Sequence, residues 1–320
     1  MPIARWTWNG LVVVMSFAAS LGNGQTYPQR TVRIVTAEAG SSNDFSARLI
    51  ASGITGALGQ PVITDNRAGQ IIPADIVAKA QPDGHTLLLS SSTLWLAPFL
   101  QANVPYDPVR DFLPITLATT SPNILVVNTS LPVKSVKELV AMAKAKPGAI
   151  NCASGPTGGS IHLAAELFKS MTGVNVVLIP YKGVAQALGA PLGGEVQVMF
   201  PNAALASSHV KSGRLTALAV TSAKPSTLAP GLPTASASGL PGFESQAMFS
   251  LFAPSRTPQA IINRLNQEIV RVLNGGEVKE KLFNAGAEVV GNSPSELAVI
   301  VRSEMVKWGK VIKDAGIHSE

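Results

Sequence analysis

A chain of 320 residues with 46% apolar and only 14% charged side chains can bury a sizeable core, and that balance excludes a disordered protein. Its length suggests two domains, and its formal charge of +6 is spread out rather than gathered in a basic arm. With aromatics at 5%, nucleic acid is a poor partner, and Cys152 as the only cysteine rules out an intrachain disulfide.

In chain order, the first 24 residues stand apart. Arg5 is their only charge, an apolar run covers 11–19, and small residues follow to Gly24. This is the layout of a secretory signal peptide, too short to span a bilayer as a stable helix, with the cut after Ala19, Gly22 or Gly24. Its removal leaves a formal charge of about +5, a balance that slightly favours an acidic small molecule. No cysteine lies near the cleavage region, which argues against a lipid anchor. No other stretch is long and apolar enough to cross a membrane. The expectation is a soluble, exported protein.

The body of the chain alternates strand and helix. The β-branched run Val32–Thr36 reads as a buried strand that breaks into the small-residue loop 39–42. A helix then begins near Asn43, N-capped by Asn43 or Ser42, with Phe45, Leu49, Ile54 and Leu58 on its apolar face and Gly59 as its stop. Strands are expected at 62–64, 87–90 and 115–119, and a helix ends over 76–80. The chain changes series near Ser121-Pro122-Asn123, and a second βα series starts at Ile124. Ser135 and Glu138 match a capping box for a helix running to Lys146. Strands follow at 150–154, 176–179, 196–200 and 215–221. A Pro/Gly/Ser-rich return linker covers 224–242, and three amphipathic helices near 258–274, 277–285 and 294–314 finish the chain. Such alternation predicts an α/β protein of two lobes, each a mostly parallel sheet flanked by helices. The expected boundaries are 25–122 plus 243–320 for one lobe and 123–242 for the other.

Two strand–loop–helix turns carry the chemistry. In the first, Gly40, Ser41, Ser42, Asn43 and Asp44 place free backbone N–H groups and a positive helix end at the carboxyl edge of a sheet, where open α/β sheets take ligands. In the second, the segment from Cys152 to Ser160 follows a strand and opens a helix, with Thr157, Gly158, Gly159 and Ser160 at its start. A phosphate-binding loop would need a lysine where Ile161 and His162 stand, so phosphate is disfavoured. His162 near Ser154, Ser160 and Glu166 leaves a secreted hydrolase as an alternative, although a histidine in a first helical turn usually bonds locally. No Gly-x-Ser-x-Gly elbow occurs, and His85, His162, His209 and His318 lack metal-ligand spacing. No catalytic residue, metal or other cofactor is expected. Asp44 is explained by its favourable place at a helix start. Ser90, Ser91, Tyr181 and Asn202 lie at the ends of predicted strands and are added as candidate ligand contacts, and Lys182 could sit at the cleft or in a solvated turn.

An ordered series of short motifs covers nearly the whole mature chain. It runs through Tyr27-Pro28, Leu58-Gly59-Gln60-Pro61, Asp65-Asn66-Arg67-Ala68-Gly69, Pro82-Asp83-Gly84, Tyr106-Asp107-Pro108 and Asp111-Phe112. It continues with Lys144-Ala145-Lys146-Pro147-Gly148, His162-Leu163-Ala164-Ala165-Glu166, Pro180-Tyr181-Lys182-Gly183, Gly193-Gly194, Ala219-Val220-Thr221, Pro233-Thr234, Ala253-Pro254 and Thr257-Pro258. In this series the chain resembles the Bug-type, TctC-like extracytoplasmic solute receptors of tripartite tricarboxylate transporters. The resemblance implies two α/β lobes closing on a small organic acid, held mainly by the two turns already described, in a monomer that delivers it to membrane transporter subunits. A receptor that reports ligand to a signalling partner is the alternative within the same fold. Five departures bear on the ligand: Glu38 stands where small apolar residues are usual, Ser41 replaces a glycine, Pro156 removes an N–H donor, and Gln197 and Ala237 replace frequent acids.

Overall fold

The computed structural model describes residues 27–155, 157–181 and 183–317, so the expectations for the signal segment, Pro156, Lys182 and His318 lie outside the described residues. The first sheet is built from β1 (Val32–Thr36), β2 (Val62–Asn66), β3 (Thr86–Ser91), β4 (Phe112–Pro122), β10 (Gln246–Pro254) and β11 (Glu288–Val289). Its order is β11-β4-β10-β3-β1-β2. The second sheet holds β5 (Ile124–Asn128), β6 (Asn151–Ser154), β7 (Val177–Pro180), β8 (Val198–Met199) and β9 (Leu215–Val220), in the order β7-β6-β8-β5-β9.

The sheets are mixed rather than mostly parallel. β1 runs parallel to β2 and β3, and β6 parallel to β7 and β8, as the βα alternation requires. The strands where the chain passes between sheets run the other way: β10 is antiparallel to β3 and β4, β11 to β4, and β5 to β8 and β9. Strand β10 is absent from the sequence reading. Its residues are buried on both faces, so it shows no alternation of apolar and polar side chains. β4 is longer than expected because its Pro114 lies beside a register shift against β10, where a missing N–H is tolerated.

Helices α1 (Ser42–Leu58), α2 (Ile71–Ala78) and α3 (Thr93–Leu100) follow β1, β2 and β3; α4 (Val136–Ala145), α5 (Ser160–Thr172), α6 (Val184–Gly193) and α7 (Ala203–Lys211) belong to the second series. α8 (Gln259–Leu273), α9 (Gly276–Asn284) and α10 (Pro294–Ala315) match the three expected closing helices. α3 is an addition: its Pro98 and the hydroxyl-rich start disguise a helix that buries Leu94, Trp95 and Leu100. α1 buries Ile54 and Leu58 of the expected face and half-buries Leu49, but its stripe runs on over small residues and leaves Phe45 outside. Ala47, Ile50, Ala51, Ile54 and Leu58 are buried, whereas Phe45 is 39% exposed. Its N-cap is Ser41, not Ser42 or Asn43, and Gly59 closes it in the left-handed conformation. At α4, Ser135 caps the Glu138 N–H, but the Glu138 carboxylate accepts from Lys134, so the box is half formed; a complete one stands at Ser293 and Glu296 of α10.

The chain crosses from the first sheet to the second at Asn123 and returns between Thr221 and Gln246. The two crossings lie side by side. Thr221 N–H donates to the Asn123 carbonyl (2.9 Å), Asn123 N–H donates to the Thr221 hydroxyl (2.9 Å), and Ser245 N–H donates to the Thr221 carbonyl (3.0 Å). One apolar core runs from Val35, Leu88 and Trp95 of the first half to Leu125, Phe168 and Phe200 of the second, with Trp308 of α10 in it. α10 is also tied to the return crossing, since Lys307 donates to the Glu244 carbonyl (3.3 Å).

Candidate ligand-binding site

The first wall forms where β1 ends. Gly40 has φ 81°, a turn that a residue with a side chain rarely adopts, and its N–H donates to the Asp44 carboxylate (2.8 Å). The same carboxylate accepts from Asn66 Nδ2 (2.9 Å) at the end of β2 and pairs with Arg48 Nε (2.8 Å) one turn along α1. Asn66 also donates to the Ala37 carbonyl (2.8 Å), so the loop is held to both neighbouring strands. Burial alone would raise the Asp44 carboxyl; bonds from Arg48, Gly40 and Asn66 outweigh it and hold the group below its usual range, charged. With Ser41 Oγ accepting from Asp44 N–H, the N–H groups of Ser42 and Asn43 have no acceptor among the described residues.

Two further loops join this wall. Asn43 Nδ2 donates to Gln70 Oε1 (3.2 Å) at the N-cap of α2, and Ser91 Oγ at the end of β3 reaches the same oxygen at 3.5 Å. Gln70 is the residue sequence reasoning missed, because glutamine is not an N-cap signature and its partners are distant in the chain. Ser90 stands apart from this group. Strand alternation turns it into the interior opposite Ser250, where both hydroxyls are buried without a partner.

The second wall has the same construction. Gly158 has φ 77°, and its N–H donates to His162 Nδ1 (3.1 Å), so His162 does bond locally. Gly159 is the N-cap of α5 at φ −72°, with no side chain to cap the helix. The N–H groups of Ser160, Ile161 and His162 therefore have no acceptor among the described residues. Thr157 is exposed beside them. A Cβ added at Gly158 would lie 2.5 Å from Leu100 Cδ1 of α3, so this loop packs directly on a helix that belongs with the first sheet. Tyr181, half-buried after β7, donates its N–H to the Ser154 carbonyl (3.0 Å), and Asn202 is the N-cap of α7, with its Oδ1 buried and unpartnered.

His162 is held below its ordinary value by burial, reinforced by Lys169 and opposed by Glu166, whose Oε1 lies 3.9 Å from Nε2. The neutral ring is the form that can accept from Gly158. Ser154 Oγ donates to the Gly155 carbonyl (3.1 Å) and no hydroxyl bonds to His162 among the described residues, so no nucleophile–base pair is formed. The Cys152 thiol is pushed up to about 12 by burial. No group of three or more metal-binding side chains occurs among the described residues, and no described helix is long and apolar enough to cross a membrane. The two loops present a pair of helix starts whose amides are unpaired among the described residues, an arrangement suited to an anion.

A family model for the tripartite tricarboxylate transporter family receptor matches residues 46–317. The chain belongs to that receptor family. Its members in the comparisons are solute receptors rather than enzymes. Protein BugT of Bordetella pertussis is 36% identical over 316 residues, covering 96% of this chain and 97% of BugT. Among solved structures, the R. palustris protein Rpa4515 with adipate is 36% identical with a TM-score of 0.74, covering 91% of this chain and 99% of that one. MatC from Rhodopseudomonas palustris with bound malate is 31% identical with a TM-score of 0.70, covering 89% and 100%. A TctC solute-binding protein from Polaromonas shares the fold at a TM-score of 0.83 and 23% identity, covering 90% and 100%. The two-lobed α/β receptor fold expected from the motif series is the fold of these family members.

Proposed function

We propose that this receptor captures a small organic carboxylate between its two lobes, in the periplasm, and hands it as a monomer to the membrane subunits of a tripartite transporter. The lobes are residues 25–122 with 243–320, and 123–242, and residues 1–24 are the export signal. The reading is supported by the adipate and malate bound to its relatives. It rests above all on one observation: two strand–loop–helix turns, one from each sheet, each leave backbone donors at a helix start unpaired among the described residues. Gly40 and Gly158 shape these turns, and their own amides are already engaged. The donors are then Ser42 and Asn43 on one side and Ser160, Ile161 and His162 on the other, flanked by Ser41, Asp44, Ser91, Thr157, Tyr181 and Asn202.

Gly159→Asp tests this. Gly159 sits at φ −72°, where any residue fits, and aspartate is a favourable N-cap, so folding is preserved. The new carboxylate takes the α5 amides and places a like charge beside the ligand. Losing charge-assisted hydrogen bonds of about 1.5–3 kcal/mol each weakens binding by roughly ten- to a hundred-fold or more. Titration calorimetry against mono-, di- and tricarboxylates, with Gly159→Ala as the steric control, measures it. Parent-like affinity in Gly159→Asp excludes this loop as the anion site.

A further inference from the structure

In the β2–α2 loop, Gly69 N–H, just before the N-cap Gln70, donates to Glu38 Oε1 from the β1–α1 loop. Glu38 is exposed, and no cation pairs with it among the described residues. The nearby guanidinium groups are already used: Arg48 pairs with Asp44, and Arg67 with Asp65 (3.0 Å). An internal carboxylate thus holds the loop just before α2 and, among the described residues, leaves a negative charge without a paired cation four residues before Ser42. Gln70 links this spot to Asn43 and Ser91, so Glu38 belongs to the same edge as the unpaired α1 amides.

We infer that Glu38 is a specificity residue which restricts this receptor to acids carrying a single carboxylate. This rests on the proposed carboxylate site. One carboxylate of the ligand is received by the amides of α1 and α5. A second one reaching the first wall meets Glu38, a like charge at that edge with no paired cation among the described residues. A ligand whose far end is uncharged meets no such repulsion.

The experiment compares hexanoate with adipate, six-carbon chains with one and two carboxylates, by titration calorimetry on the parent and on Glu38→Gln. Glutamine keeps an oxygen for Gly69 N–H, so the loop is preserved while the charge is removed; circular dichroism checks the fold. The parent is expected to bind hexanoate at least about ten-fold more tightly than adipate. In Glu38→Gln that ratio should fall about ten-fold through tighter adipate binding, with hexanoate unchanged. Parent affinity for adipate equal to that for hexanoate overturns the inference, and so does an unchanged ratio in Glu38→Gln. Failure of every carboxylate from two to eight carbons to bind the parent overturns the carboxylate site itself, and the inference with it.

Discussion

Asp44 offers the sharpest test of how the first wall is held. Its carboxylate, in a side chain only 7% exposed, takes the Gly40 N–H, the Asn66 amide and the Arg48 guanidinium. Asp44→Asn keeps the shape but leaves one oxygen to accept, and its new NH2 group faces donors. The Arg48 side chain is 57% exposed, so its pairing counts for a few tenths of a kcal/mol. The other two bonds are charge-assisted, at roughly 1.5–3 kcal/mol each; one is lost and the other weakened, a total of about 2–4 kcal/mol. For a chain of this size that lowers the melting temperature by roughly 3–7 °C. The effect has a pH signature. Asp44 is held below 3.8 in the folded protein, so its contribution is complete above that unfolded-state value and is lost as pH falls through the lower folded value. The melting gap between parent and variant should be constant from neutral pH down to about pH 5 and close below pH 3.8. Scanning calorimetry at several pH values reads both. A variant melting within about a degree of the parent at pH 7 would show that the carboxylate does not hold the loop, and so would a gap at pH 3 undiminished from its value at pH 7.

Two further outcomes follow from the second wall and the crossings. Because burial lowers His162 below 6.5, the unfolded chain takes up that proton first, and the stability carried by the Gly158–His162 bond is complete above 6.5 and lost as pH falls through that value toward the folded one. His162→Gln, an acceptor that does not titrate, should lose less stability than the parent between pH 7 and pH 5.5; parallel courses for the two would remove His162 from the argument. Ligand-dependent closure about the paired crossings at Asn123 and Thr221 should reduce the radius of gyration measured by solution scattering with a binding carboxylate. An unchanged radius at saturation would mean that the pocket is rigid.

The parts of the fold legible in the sequence were those set by local chemistry. The β-branched run Val32–Thr36, the left-handed stop at Gly59, and the three closing helices depend on residues within one turn of each other. What escaped depended on distant partners. The buried stripe of α1 runs over Ala47 and Ala51, and Gly53 stands where a Cβ would lie 2.3 Å from Val272 of α8. Close approach of helices favours small residues, so the most hydrophobic side chain, Phe45, marks the wrong face. β10 escaped because two strands far earlier in the chain flank it. The loops that carry the candidate site were recognisable as strand–loop–helix turns. Which of their amides are free was not, since that is decided by Asp44, His162 and Asn66 folding back on them.

That last point shapes what the site can discriminate. A helix start offers any anion the same attraction, so bare amides confer affinity without much selectivity. Selectivity arises from which amides the protein has already filled. Here one glycine N–H in each wall is taken by a side chain of its own helix, which stiffens the turn and fixes where the remaining donors point. The amide before α2 is taken by an acid from a neighbouring loop instead, and that acid carries an unneutralised charge. The first kind of occupation orders the site and leaves its charge preference intact, because Asp44 is neutralised by Arg48 and His162 is neutral. The second kind changes the preference. Ligand class in this receptor is therefore governed less by the two turns than by the carboxylate of Glu38 at their edge, which no cation pairs among the described residues.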